Sequence, residues 1–141
     1  PFHNNRVNDP AIPYSDLIKP NSINPDYVRY ELRRVWVIEG ELKPGVRHIY
    51  KRRTFYIDED SWQIRLVDIY DRRDQLWRWQ EAHTALAYDK PFEAPVGETI
   101  YDLQNNRYLV QALNNEHPEN IEKEFNADYF SPSNVSRQAT R

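Results

Sequence analysis

The sequence predicts a mainly β fold, an antiparallel meander sheet with short helical turns, and three observations carry that expectation. From residue 28 onward, runs of β-branched and aromatic residues alternate with short polar breaks, as in strands joined by tight reversals. The breaks have turn chemistry: KPG at 43–45, DEDS at 58–61, RRDQ at 72–75 and QNN at 104–106. Aromatic residues make up 13% of the chain, with Trp 4 and Tyr 10, and they gather on 47–87, where a pleated surface would pack them.

Taken in order, residues 1–27 hold Pro10, Pro13, Pro20 and Pro25 among Asn, Asp and Ser. That composition blocks long helices and central strands alike. The segment is expected to run extended and pack on the sheet, with one short turn at 14–19. The sheet domain covers 28–117, with strands at 28–39, 47–57, 62–71, 76–87, 98–104 and 107–113. After Pro118 the pattern weakens, and 118–141 reads as an irregular or short-helical tail with turns over 119–125 and from Ser131.

Register then decides which side chains meet. With a four-residue loop at 58–61, Ile57 lies opposite Trp62, Phe55 opposite Ile64, Arg53 opposite Leu66, Lys51 opposite Asp68 and Ile49 opposite Tyr70. Apolar residues from both arms then share a face, as a sheet with one buried side demands. Asp58, Glu59 and Asp60 are on this account the polar tip of a hairpin. A calcium loop would want oxygen ligands at alternate positions and a Gly for its bend, which DEDSWQ does not supply. A second four-residue loop at 72–75 sets Tyr70 opposite Trp77, Asp68 opposite Trp79, Leu66 opposite Glu81 and Ile64 opposite His83. One face would carry Phe55, Trp62, Ile64, Leu66, Tyr70, Trp77 and Trp79 as an apolar wall, with Lys51, Arg53, Asp68, Glu81 and His83 as polar contacts beside it. Tyr50, Tyr56, Val67 and Ile69 would lie on the other. A β-bulge would invert part of this assignment.

Composition narrows the function classes. At 141 residues and 39% hydrophobic content the chain is one domain's worth, with a mean hydropathy of -0.93 that leaves little apolar surplus. Lys+Arg 19 against Asp+Glu 22, interleaved, give a net charge of -3 and no broad basic face for nucleic acid. The KRR run at 51–53 would split across two faces of a strand. With Cys 0 there is no disulfide, thiol nucleophile or cysteine zinc site, and Gly 3 with no GxSxG disfavours phosphate loops and serine hydrolases. Glu81 and His83, two apart on a strand, point the same way, but His3, His48 and His117 lie in other segments; a hydrogen-bonded structural histidine is expected rather than a metal or acid–base site. No catalytic residue, metal or cofactor is expected. No apolar run reaches the roughly 18 residues of a membrane span, and PFHNNRVNDP lacks a signal-peptide core. With Met 0, the chain is expected to be a processed product or an excised piece, any targeting signal lying upstream. The aromatic face fits two accounts of equal composition, an ordinary core or a concave wall for an apolar ligand.

The blocks RHIYKRRTFYIDEDSWQI and YDLQNNRYLV, within a match over most of 14–116, resemble the C-terminal part of a bacterial family, domain of unknown function 1329, whose members are commonly labelled outer-membrane lipoprotein-sorting proteins. The resemblance implies a strongly curved sheet, a half-barrel of the lipoprotein-carrier type, and export to the periplasm. It implies a non-enzymatic module that handles a lipid or the acyl chain of a lipoprotein. The alternative is a structural or adaptor domain of an envelope transport assembly, with an envelope transporter as partner. Family members are longer, so isolated sheet edges would invite homodimerisation.

Overall fold

The computed structural model describes residues 3–89, 92–116 and 125–139. A 3-10 turn (Asn5–Asn8) and a single helical turn α1 (Tyr14–Leu17) lead into a two-residue ladder, β1 (Ile18–Lys19) with β2 (Ser22–Ile23). Its corner is Pro20–Asn21, and Asn21 takes a left-handed φ of 72°. Proline followed by a left-handed Asn is what a type II turn favours. Six strands follow: β3 (Val35–Glu41), β4 (Arg52–Asp58), β5 (Ile64–Tyr70), β6 (Leu76–Ala87), β7 (Phe92–Asp102) and β8 (Arg107–Gln111). Each pairs antiparallel with the next, so the sheet is an unclosed meander with β3 and β8 at its edges. A 3-10 turn (Ala127–Phe130) and α2 (Pro132–Ala139) complete the described chain. The turn expected over 119–125 falls, apart from its last residue, outside the described residues.

The expected strands are present with shifted ends. β3 starts at Val35 rather than 28, because the residues before it are used elsewhere: the Arg29 N–H donates to Asn4 Oδ1 (2.6 Å) and the Tyr30 hydroxyl to Glu81 Oε1 (2.6 Å). β7 starts at Phe92 rather than 98 and contains Pro95. Proline is tolerated there because β8 pairs only with Glu98–Asp102, leaving Pro95 on an edge, beside a bulge at His83/Thr84.

The apolar core lies between the N-terminal segment and one side of the sheet. Val7, Ile12, Leu17, Ile23 and Val96 are buried together, with Tyr27, Val28, Ala85 and Leu113 against them. Residues 3–30 act as a strap. Where it crosses β7 the approach is close: a Cβ on Gly97 would lie 3.7 Å from Val7 Cγ1 of the strap and 2.9 Å from Cδ2 of Leu113, just beyond β8. The strap is tied to β8 by Tyr108, whose hydroxyl lies 2.6 Å from the Lys19 carbonyl and 2.8 Å from that of Ser22. Tyr108→Phe is expected to lower stability by about 1 kcal/mol, read as a shift in urea midpoint at unchanged m-value.

Register corrects the first hairpin and largely keeps the second. Phe55 faces Val67, not Ile64, and Arg53 faces Ile69, not Leu66; the displacement is three residues. Ile57 faces Ile64, not Trp62, across a bulge at Tyr56/Ile57 in which Arg65 is the extra residue of the register. The reversal is longer than four residues, since the Asp58 N–H bonds to the Gln63 carbonyl (2.9 Å) and Trp62 takes a left-handed φ of 58°. An odd displacement turns β4 over relative to β5. In the second hairpin Leu66 faces Glu81 and Asp68 faces Trp79 as expected, but a bulge at Ile69/Tyr70 pairs Tyr70 with Leu76 instead of Trp77.

Candidate ligand-binding face

Following the pairs from β3 to β8 defines two faces. On one, Val37, Tyr56, Leu66, Glu81, Thr99 and Val110 form a cross-strand row, beside a second row through Asp68, Trp79, Tyr101 and Tyr108. This is the strap face, since the strap's tyrosine Tyr30 and the Lys19 and Ser22 carbonyls bond to it. On the other, the open face, the row reads Ile38, Phe55, Val67, Gln80, Ile100 and Leu109.

The expected wall is therefore divided. Leu66, Tyr70 and Trp79, with Asp68, Glu81 and His83, belong to the strap face, while Phe55 and Arg53 belong to the open face. Ile64 lines an open-face cavity with Phe55. Trp62 sits on the turn, 71% exposed, stacked on Trp36 with centroids 6.4 Å apart. Trp77, displaced by its bulge, meets Tyr50 edge-on (5.6 Å) and donates its indole N–H to Asp102 Oδ1 (3.1 Å). Lys51 reaches Asp74 (3.2 Å) across the second turn. Trp62 and Trp77 do not share a wall, and the reason is the pair of bulges.

On the strap face the polar groups are consumed internally. Glu81 and His83 do point the same way, joined through Thr99. The Thr99 hydroxyl donates to Glu81 Oε2 (3.0 Å) and so accepts from His83 Nε2 (3.2 Å). Burial holds His83 neutral, its pKa lowered to about 4, and pushes Glu81 up against the pull of its hydrogen bonds from Tyr30 and Thr99. Both side chains are at most 1% exposed. Trp79, Tyr101 and Tyr108 stack in sequence at 5.3 and 5.5 Å.

The acidic turn is more than a polar tip. Asp58 is 1% exposed and its oxygens accept from the Ser61 N–H (3.0 Å), the Ser61 hydroxyl (2.8 Å) and Arg33 Nε (3.2 Å). Arg65 extends this network to Glu93 and Thr84. The oxygens of Asp58 are thus committed to protein donors.

The open face keeps apolar side chains uncovered. Ile38, Ile64 and Leu109 are 49%, 45% and 54% exposed. Val67 and Ile69 are buried on this face, and the row neighbours of Ile69, Arg53 and Arg78, carry the ring of Tyr50 from the β3–β4 loop. A cavity of about 220 Å³ lies there between Phe55, Ile64, Val67, Ala82 and Ile100, with Gln80 and Glu98 at its polar side. Val67 and Ile100 were not in the sequence-derived wall. The signal for Val67 is plain alternation in β5, which sets it away from Phe55 when the first hairpin is given a four-residue loop; Ile100 lies on β7, for which the sequence offers no register.

Comparison with known proteins supplies context. A Pseudomonas aeruginosa protein, Uncharacterized protein PA3922, is 42% identical over 143 residues, a match that covers 100% of this chain and 31% of the relative. The chain thus spans about a third of the length of that curated relative. Among solved structures, a Desulfovibrio piger DUF1329 family protein is similar over 70% of this chain and 40% of its own, at 16% identity and a TM-score of 0.46. A Vibrio parahaemolyticus domain, described as an outer membrane lipoprotein-sorting protein domain, is similar over 55% of this chain and 32% of its own, at 16% identity and a TM-score of 0.44. No described helix is long and apolar enough to cross a membrane. The family model described as Protein of unknown function (DUF1329) matches residues 1–136, and the chain belongs to that family.

Proposed function

We propose that the chain is a non-catalytic lipid- or lipoprotein-handling module of the periplasm that takes an acyl chain or similar apolar ligand on its open face. The observation that carries this reading is a cavity of about 220 Å³ whose apolar lining is Phe55, Ile64, Val67, Ala82 and Ile100, with Ile38 and Leu109 exposed along the same face. Below the roughly 300 Å³ of a whole small-molecule site, such a cavity suits a stretch of chain entering and leaving along the face. The non-catalytic part is supported by the burial of Glu81 and His83, which denies a substrate access to the acid–histidine chain joined through Thr99. The periplasmic part rests on the family resemblance of the sequence.

The test is uptake of a fluorescent fatty acid by the full chain, with mass spectrometry of solvent extracts. Phe55→Ala is expected to weaken uptake about tenfold, the worth of one buried aromatic side chain, while Trp62→Ala, on the exposed turn, leaves it unchanged. Absence of uptake together with lipid-free extracts would sink the reading. A second reading, an adaptor domain, is favoured by the free edge of β3, where Trp36, Val37 and Ile38 are 55%, 61% and 49% exposed. It predicts partner capture from cell envelopes that survives Phe55→Ala and is lost when Val37→Pro blocks the edge.

A further inference from the structure

Next to the apolar row on the open face runs a second row, in which Arg53, Ile69 and Arg78 pair in succession across β4, β5 and β6. Both arginines are half-buried, and both pack around one ring: the Arg53 guanidinium carbon lies 4.9 Å from the Tyr50 centroid and that of Arg78 5.7 Å. Arg78 donates to the Tyr50 hydroxyl (2.5 Å) and covers Trp77 at 4.5 Å. Among the described residues neither guanidinium is ion-paired, in contrast to Arg52 and Arg65 on the same sheet and Arg33 just before it. Of the acids nearby, Asp102 takes the Trp77 indole N–H and Asn105, and Asp74 takes Lys51 and Arg52; Glu41, opposite Arg52, lines the rim of the cavity next to these arginines together with Lys51 and Arg52. A cavity of about 270 Å³ opens here between Gly40, Tyr50, Arg53 and Phe55.

Phe55 lines both this cavity and the apolar one. Two uncompensated cations gathered on one aromatic ring repel each other, and an anion between them relieves that repulsion through charge-assisted hydrogen bonds. We propose that Arg53 and Arg78, both packed on Tyr50, hold the anionic head of an amphiphile whose acyl chain passes Phe55 into the apolar cavity. The ligand class is a long-chain carboxylate or alkyl phosphate. The Tyr50 hydroxyl, which accepts from Arg78, has its own proton to donate to that head. This inference rests on the proposed apolar function and adds the sign of the head group.

Isothermal titration of the full chain with dodecanoate, dodecyl phosphate, uncharged 1-dodecanol and inorganic phosphate tests it. The two anionic amphiphiles are expected to bind at least about tenfold more tightly than the alcohol, with the preference shrinking as salt is raised. Arg53→Gln and Arg78→Gln should each remove that preference while leaving dodecanol affinity unchanged; should Arg78→Gln fail to fold, Arg53→Gln decides. Equal affinity for alcohol and anions overturns the head-group assignment and leaves the apolar function standing. Inorganic phosphate binding as tightly as dodecyl phosphate marks a free-anion site and overturns the amphiphile. Failure of every alkyl compound to bind overturns both readings.

Discussion

Arg65→Met is expected to destabilise the protein by about 3–5 kcal/mol, lowering its melting temperature by roughly 10–15 °C. Arg65 is 5% exposed, and its guanidinium bonds to Glu93, to the Thr84 hydroxyl and to Ser61 Oγ (3.0 Å), with Asp58 Oδ2 at 3.7 Å. Methionine fills much of the same volume, so packing changes little. Glu93, however, is left as a buried carboxylate without its cation, and Asp58 retains only Arg33 and the Ser61 donors. Breaking one side of a buried pair is the expensive case, because the surviving charge has lost its water and gained nothing. Acid should shrink the penalty. Burial raises the Asp58 pKa, but the Ser61 hydrogen bonds and Arg33 outweigh it, so the group sits below its ordinary value. A depressed carboxylate contributes stability above its unfolded pKa and loses it as pH falls through the folded one. That loss is common to both proteins, but protonating Asp58 also removes a charge that Arg65→Met leaves less compensated, so thermal melts of wild type and variant should converge toward low pH; a gap independent of pH, or of less than about 1 kcal/mol at neutrality, would refute the network account.

Between pH 6.5 and 4 the protein is expected to lose about 3 kcal/mol through His83 alone. Its side chain is fully buried, and its pKa falls from 6.5 to about 4 because burial penalises the charged ring. The folded state then binds fewer protons than the unfolded state across that window, so stability rises with pH from 4 and is complete above 6.5. Glu81 works the other way. Burial lifts it above its ordinary value, so its contribution is present below the unfolded pKa and fades as pH rises through the folded one. Urea midpoints at several pH values separate the two: His83→Gln should flatten the acid slope, and Glu81→Gln should steepen it. Slopes that move together, or not at all, would mean the Tyr30, Glu81, Thr99 and His83 chain does not carry the titration.

The misread register shows where sequence reasoning stopped. Alternation in VWVIEGE, RRTFYID and IRLVDIY announces strands, and the breaks between them announce reversals. Nothing local announces that Arg65 is skipped in the pairing, because a bulge is chosen by what the extra side chain reaches, here Glu93 on β7. The second hairpin was legible through Leu66–Glu81 and Asp68–Trp79, since its bulge falls next to the turn and disturbs little beyond Tyr70. The strap was legible as proline-rich and extended, but the partners of Leu17 and Val7 lie about eighty or more positions away along the chain, at Val96 and Leu113.

By itself the sequence determined the antiparallel meander, the places where it reverses and the shared orientation of Glu81 and His83, because strand period and turn chemistry are written in neighbouring residues. Only the tertiary structure decided which face the strap covers, which face stays open, and that Phe55 lies with Val67 and Ile100 rather than with Trp79. A pleat repeats every two residues, so an odd displacement in one hairpin exchanges the faces of a whole strand, and that displacement was set by buried partners distant in the chain.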